Sequence, residues 1–136
     1  MAVSNKITTW RFVAKNDLTS TIKGTGTIYK AINLETGDIA SDGKTANGII
    51  YTPAYSGTHD GTYADAGKMK YTAGAAVSSQ NTLLAVTTSG YLIPADSGYW
   101  IVGKSIGNDA TSGSVGIAHL NFATPWFAVD CTWLGN

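Results

Sequence analysis

Apolar residues in this chain recur in short alternating runs, separated by clusters of Gly, Asp, Ser and Thr. From 25 to 34, Ile28, Lys30, Ile32 and Leu34 fall on one side of an extended backbone. Thr27, Tyr29, Ala31 and Asn33 fall on the other. That period of two predicts a strand. Turns are predicted at Glu35-Thr-Gly-Asp38 and Ser41-Asp-Gly-Lys44, where Gly accepts tight backbone angles and Asp or Ser side chains bond the local main chain. Further strands are predicted at Gly48–Thr52, stopping at Pro53, and at Lys68–Thr72, Leu83–Thr87, Tyr91–Pro94, Tyr99–Ile106 and Ser114–Phe122. A last apolar segment runs from Trp126 to Leu134, and Tyr55–Tyr63 reads as a turn-rich loop. Residues 81–88 are the best place for an isolated helical turn, although Val86, Thr87 and Thr88 limit its length. Ile39–Lys44 followed by Gly48–Tyr51 faintly echoes Val86–Tyr91 followed by Gly103–Ile106.

About eight or nine short, closely spaced strands predict a small β-barrel or sandwich. Residues 1–20 are polar, with Trp10, Phe12 and Val13 as isolated apolar positions, and read as an extended N-terminal arm ahead of a β body at 21–136. The expected fold class is all-β: a small β-barrel or β-tulip carrying that arm.

At 136 residues the chain is long enough for one domain with its own core. Charged residues make up 13%, about half the usual share. Glu35 is the sole Glu and Arg11 the sole Arg, against 16 Gly. Net charge is zero but unevenly placed. Lys6, Arg11, Lys15, Lys23 and Lys30 face Asp17 alone in the first 30 residues, so a mildly basic segment precedes a mildly acidic body. This is too dilute for a nucleic-acid partner, which needs a dense basic stripe. It suits a negatively charged protein surface. No run approaches a membrane span. Cys131 is single, which excludes an internal disulfide. No signal peptide is read in residues 1–20, so synthesis in a cytoplasm is expected.

Candidate chemistry is thin. Gly98-Tyr-Trp-Ile-Val-Gly-Lys104-Ser105 matches the letters of a phosphate-binding loop. Its four variable positions favour a strand, however, and the Gly- and Asp-rich segment after Ser105 cannot hold the helix such a loop needs. Gly24-Thr-Gly-Thr-Ile-Tyr29 begins like a dinucleotide fingerprint but puts Tyr29 where the third Gly belongs. His59, Asp60 and Asp65 hint at a metal, yet the other His, His119, is far along the chain and a catalytic zinc site needs three protein ligands. Cys131, among Val129, Trp133 and Leu134, reads as a buried thiol. No nucleophile elbow or carboxylate pair is evident, so no catalytic residue, metal or cofactor is expected. Tyr51, Tyr55, Tyr63, Tyr71, Tyr91, Tyr99 and Trp100 are candidates for a sugar-stacking face, though Tyr also suits strand surfaces and subunit contacts. Trp126, Phe127 and Trp133 are a heavy apolar load and read as core or subunit interface.

From about Ile28 to Phe122 the chain resembles the small head-decoration (capsid cement) proteins of tailed phages, of the lambda-like, β-tulip type. The residues carrying the resemblance are Thr27-Ile-Tyr-Lys-Ala-Ile-Asn-Leu-Glu-Thr-Gly-Asp-Ile-Ala-Ser-Asp-Gly43, Gly48-Ile-Ile50 and Ala66-Gly-Lys-Met-Lys-Tyr71. Thr88-Ser-Gly-Tyr-Leu-Ile-Pro94, Trp100-Ile-Val-Gly-Lys-Ser-Ile106 and Gly113-Ser-Val-Gly-Ile-Ala-His-Leu120 are similar to the later glycine-punctuated strands of that family. Residues 123–136 have no counterpart. The resemblance implies a homotrimer on the outer capsid surface of the virion, partnered by the major capsid protein and stabilising the shell without catalysis. It also implies an N-terminal arm that adds a strand to the coat. Trp10, Arg11, Phe12 and Val13 are the expected capsid contacts. The alternative expectation is a carbohydrate-binding β-module, such as a fibre tip or surface lectin.

Overall fold

The computed structural model describes residues 7–14, 28–52, 61–106 and 110–127. The protein is all-β and is built from two curled antiparallel sheets. The first contains β1 (Trp10–Phe12), β2 (Ala31–Asn33), β3 (Asp38–Ile39), β4 (Gly48–Thr52) and β5 (Gly61–Ala64), ordered β1-β5-β4-β2-β3. The second contains β6 (Ala66–Thr72), β7 (Leu83–Val86), β8 (Leu92–Pro94), β9 (Trp100–Ser105), β10 (Val115–Asn121) and β11 (Trp126–Phe127). Its order is β6-β10-β9-β7-β8, with β11 also beside β9. Ala73, just past β6, forms a parallel bridge to Leu92 of β8, and the Gly74 amide donates to the Leu92 carbonyl at 2.8 Å. The two ends of the second sheet therefore meet. Closure of this kind uses main-chain groups that an open edge would leave unpaired.

The strands predicted at Gly48–Thr52 and over Ser114–Phe122 form nearly as read, as β4 and β10. Three expectations are corrected. Among the described residues 28–34 of the predicted run, the strand is Ala31–Asn33, because Tyr29 has a left-handed φ of 64° and breaks the alternation. The end of the expected Tyr55–Tyr63 loop, from Gly61, belongs to β5. Residues 83–86 are strand rather than helical turn, and the tight 3-10 turn lies at Thr88–Gly90. The internal echo has no structural counterpart: β3 and β4 both flank β2, whereas β7 and β9 pair directly.

The predicted turns form for local reasons. The Asn33 side-chain oxygen accepts the Glu35 amide at 2.9 Å, and Gly37 adopts φ 70°. Asp42 accepts both the amide and the hydroxyl of Thr45, each at 2.9 Å.

The main core lies between the sheets. Ala31, Ala40, Ile49 and Ala64 of the first sheet's side meet Met69, Tyr71, Leu84, Val86, Leu92, Val102, Ala118 and Leu120 of the second. The first sheet buries its other face too, where Ile32 and Ile50 pack with Phe12 and Ala14. That double burial explains why Ile49 and Ile50 are adjacent apolar residues in one strand. Lys30 is buried with its ammonium 4.6 Å from the centroid of the Tyr91 ring, a cation–π contact in place of solvent.

Two positions in the second sheet require the absence of a side chain. The Tyr71 ring lies where a Cβ on Gly116 would stand, 2.7 Å from its hydroxyl. At Gly103 a Cβ would overlap the His119 carbonyl oxygen, a backbone atom that cannot swing aside. Gly103→Ala is therefore expected to cost about 1–3 kcal/mol or more through overpacking. Urea denaturation against the parent protein checks this, and an unchanged midpoint would contradict the close approach.

Candidate functional site

The nucleotide-loop letters resolve into β9. Ser105 is buried, its hydroxyl donates to the Ser79 carbonyl at 2.7 Å, and it accepts the Thr82 amide at 3.0 Å. Its main chain is also committed, to Thr82 and Asn81, both at 2.8 Å. A hydroxyl locked this way is a staple for the 79–82 turn and is not free to hold a phosphate or a metal. Lys104 points to the opposite, exposed side of the strand.

Among the described residues no three His, Cys, Asp or Glu side chains come together as a metal set. His59, Asp60, Cys131 and Trp133 lie outside the described residues. Among the described residues no helix is long and apolar enough to cross a membrane.

The tyrosines do not share a face either. Tyr71 is core, and Tyr63 meets the Phe12 ring edge-on at 6.2 Å. Tyr51 is the extra residue of a β-bulge between β4 and β5. Its hydroxyl accepts the Lys70 amide at 2.9 Å on the second sheet. Tyr51, Tyr63 and Tyr71 are thus engaged in packing and between-sheet contacts; Tyr55 is not among the described residues.

The apolar residues that do reach solvent form separate groups. At the N-terminal end, β1 pairs with β5 through Trp10↔Tyr63, Arg11↔Thr62 and Phe12↔Gly61. Trp10 is 52% exposed and Val13 45%, and Arg11 is also exposed, whereas Phe12 is buried. The four expected capsid contacts are therefore adjacent in space, but Phe12 faces inward and holds β1 to the body.

At the C-terminal end, Phe127 is 47% exposed and its ring meets Trp100 edge-on at 5.3 Å. Trp126, at 42%, is the neighbouring residue and points to the other side of its strand.

One concavity is built by a strand break. β9 pairs with Leu120 of β10 at Gly103 and with Trp126 of β11 at Ile101, so residues 121–125 stand opposite Val102 alone. Val102 is also skipped on the β7 side, where Leu84 pairs Gly103 and Ala85 pairs Ile101. The double mismatch opens a groove of about 300 Å³ edged by His119, Asn121, Thr124 and Trp126 over a floor of Ile101 and Gly103. Sequence reading singled out Trp126 but missed Asn121 and Thr124. Their signal was the Ser/Thr/Pro-type interruption between two apolar runs, Ala123-Thr124-Pro125.

No protein family, curated protein or solved structure matches this chain.

Burial raises the hydroxyl pKa of Tyr71, and also those of Tyr51 and Tyr63, above the ordinary 10.0; Asp65 adds to the shift at Tyr63. Ionisation is then easier in the unfolded chain than in the folded one. Stability is expected to be unaffected by these groups below pH 10.0 and to fall as pH rises past it. Urea midpoints at about pH 8 and about pH 11 test this. Tyr71→Phe, which keeps the ring, should make the alkaline loss shallower.

Proposed function

We propose that this protein is a tailed-phage capsid decoration protein that binds the outer shell, partners the major capsid protein and works without catalysis. The sequence resemblance suggests the class. The observation that carries it into the structure is the N-terminal edge of the first sheet. Among the described residues β1 pairs only with β5, and exposed Trp10 and Val13 flank it. An edge strand offers unpaired amides and carbonyls at the strand repeat, so a coat-protein segment can join it by main-chain bonds. Trp10 and Val13 then supply the apolar contact and Arg11 the charge, while Phe12 fixes β1 against Tyr63.

In this reading the protein forms a homotrimer on the virion surface. Phe127 with Trp100 is the subunit contact we assign, since an exposed ring backed by a half-buried one suits an interface centre. Each site is small, and the hold on the shell comes from many copies acting together.

Deleting residues 1–20 would remove β1 itself along with Phe12 and Ala14, so point substitutions separate docking from folding. Trp10→Ser with Val13→Ser is expected to weaken co-sedimentation with empty expanded capsids of the encoding phage by about tenfold or more, with the unfolding midpoint unchanged. Light scattering on the parent protein should give three chains per particle. Equal capsid binding by the double variant would sink the edge-docking reading, and a monomer would sink the trimer.

A further inference from the structure

The face of the second sheet that surrounds the groove carries charge of one sign. On β10 burial alternates, leaving Val115, Ile117, His119 and Asn121 outward and Gly116, Ala118 and Leu120 inward. Directly across from His119 stand Lys68 of β6 and Lys104 of β9, and Lys70 faces Ile117 in the next row. Cross-strand partners share a face and lie about 5 Å apart at Cα. Two lysines with the His119 imidazole between them thus form one row across three strands.

No Asp or Glu occurs within β6, β9 or β10 to offset these lysines. Asp65, which precedes β6, acts on Tyr63 of the first sheet. In a chain of zero net charge this is segregation rather than excess.

The row borders the groove, with His119 belonging to both. Ile101, opposite Trp126, and Lys104, opposite His119, are separated by about 10 Å along β9 at the usual strand rise. One end of the groove is therefore an exposed indole and the other is the His119 imidazole, with Lys104 and Lys68 standing beyond it on either side. Between them stand Asn121 and Thr124. The Asn121 side-chain oxygen is taken by the Ala123 amide at 3.0 Å, which leaves its NH2 as the group able to bind. The side chains on offer are mainly donors: an amide NH2, a hydroxyl, an imidazole and two ammonium groups. A donor-bearing groove bordered by two lysines, with one aromatic plate, matches a ligand rich in acceptors, negative, and apolar on one ring face.

We propose that this groove binds an acidic saccharide, a sugar ring bearing a carboxylate or sulfate. The ring lies against Trp126, Asn121 and Thr124 hold its hydroxyls, and the anionic group sits at His119 between Lys104 and Lys68. Shallow grooves of this size hold one or two residues of a glycan and bind weakly one at a time, which a multi-copy particle turns into adhesion. The site is independent of β1 and of the capsid-docking reading.

The test is a titration of the full-length protein with galacturonic acid, a sulfated disaccharide, galactose and hexaglutamate, followed by backbone and indole NMR shifts. The acidic sugars are expected to move Trp126, Asn121 and His119 together and to bind about tenfold more tightly than galactose. Lys104→Ser should remove about that tenfold advantage, while Trp126→Ala should abolish sugar binding with the fold intact; both side chains are exposed. Absence of shifts with both acidic sugars overturns the proposal. So does binding of hexaglutamate equal to that of the sugars and insensitive to Trp126→Ala, which would make the face a dock for acidic protein. Failure of capsid binding would leave this result untouched, because no capsid enters the measurement.

Discussion

The structure turns on Tyr29, the residue that ties the two sheets together. Its amide donates to the Ile50 carbonyl of β4 at 2.7 Å, and its carbonyl accepts the Thr72 amide at the end of β6, also at 2.7 Å. One peptide neighbourhood thereby belongs to both sheets. The left-handed φ of 64° is what lets N–H and C=O diverge toward different partners, and for a bulky residue that conformation carries a cost. Its ring is held edge-on by Tyr51 at 5.3 Å, and the Lys70 ammonium lies 5.5 Å from its centroid. The Tyr51 bulge, the Lys70 backbone and the Tyr29 clamp form one assembly that sets the angle at which β6 leaves the first sheet. Everything on the outer face of β6, β10 and β9 inherits its orientation from there.

Bulges recur where this fold changes direction. Tyr51 is extra on β4 and reaches across to the other sheet; Val102 is extra on β9 and turns into the core beneath the Ser41–Lys44 turn. At Val102 the mismatch on both flanks forces the chain after β10 to leave the ladder before it returns as β11. The groove thus combines a one-residue bulge on β9 with the excursion of residues 121–125 beside it. Its polar side chains come from the departing strand and its indole from the returning one.

This explains what was legible beforehand. Strand β10 could be read directly, because its burial alternates with period two: Ala118 and Leu120 turn to the core, while Ile117 and His119 turn to solvent. The interior pair Ile49-Ile50 could be read as strand but not as a strand buried on both sides, since that depends on Phe12 and Ala14 arriving from far earlier in the chain. Tyr29 obeyed the alternation in sequence and broke it in space, because a hydrogen-bond demand from two sheets outweighed strand propensity. The β9 segment invited a phosphate-loop reading by its letters, yet Tyr-Trp-Ile-Val dictated a strand, and the Ser105 hydroxyl is spent on the 79–82 turn. The Lys68–His119–Lys104 row was invisible because it needs the β6–β10–β9 order, which no local pattern encodes.

The low charge content gives that row its weight. With so few ionisable groups, their placement is not averaged out by neighbours, and a small number of lysines can set the sign of a whole face. Exposed lysines are individually weak and screened by salt within about 10 Å, so a lone pair on a strand would mean little. What distinguishes this face is that the charges adjoin a concave apolar surface with its own directed donors. Solvated lysines need no such neighbours, whereas a ligand that must be both attracted and oriented does. The N-terminal edge lacks that combination: it offers main-chain groups and apolar side chains on a strand end, which suit a polypeptide. The two surfaces are chemically different and stand on different sheets. In the proposed reading the N-terminal edge docks on a shell and the grooved face points outward.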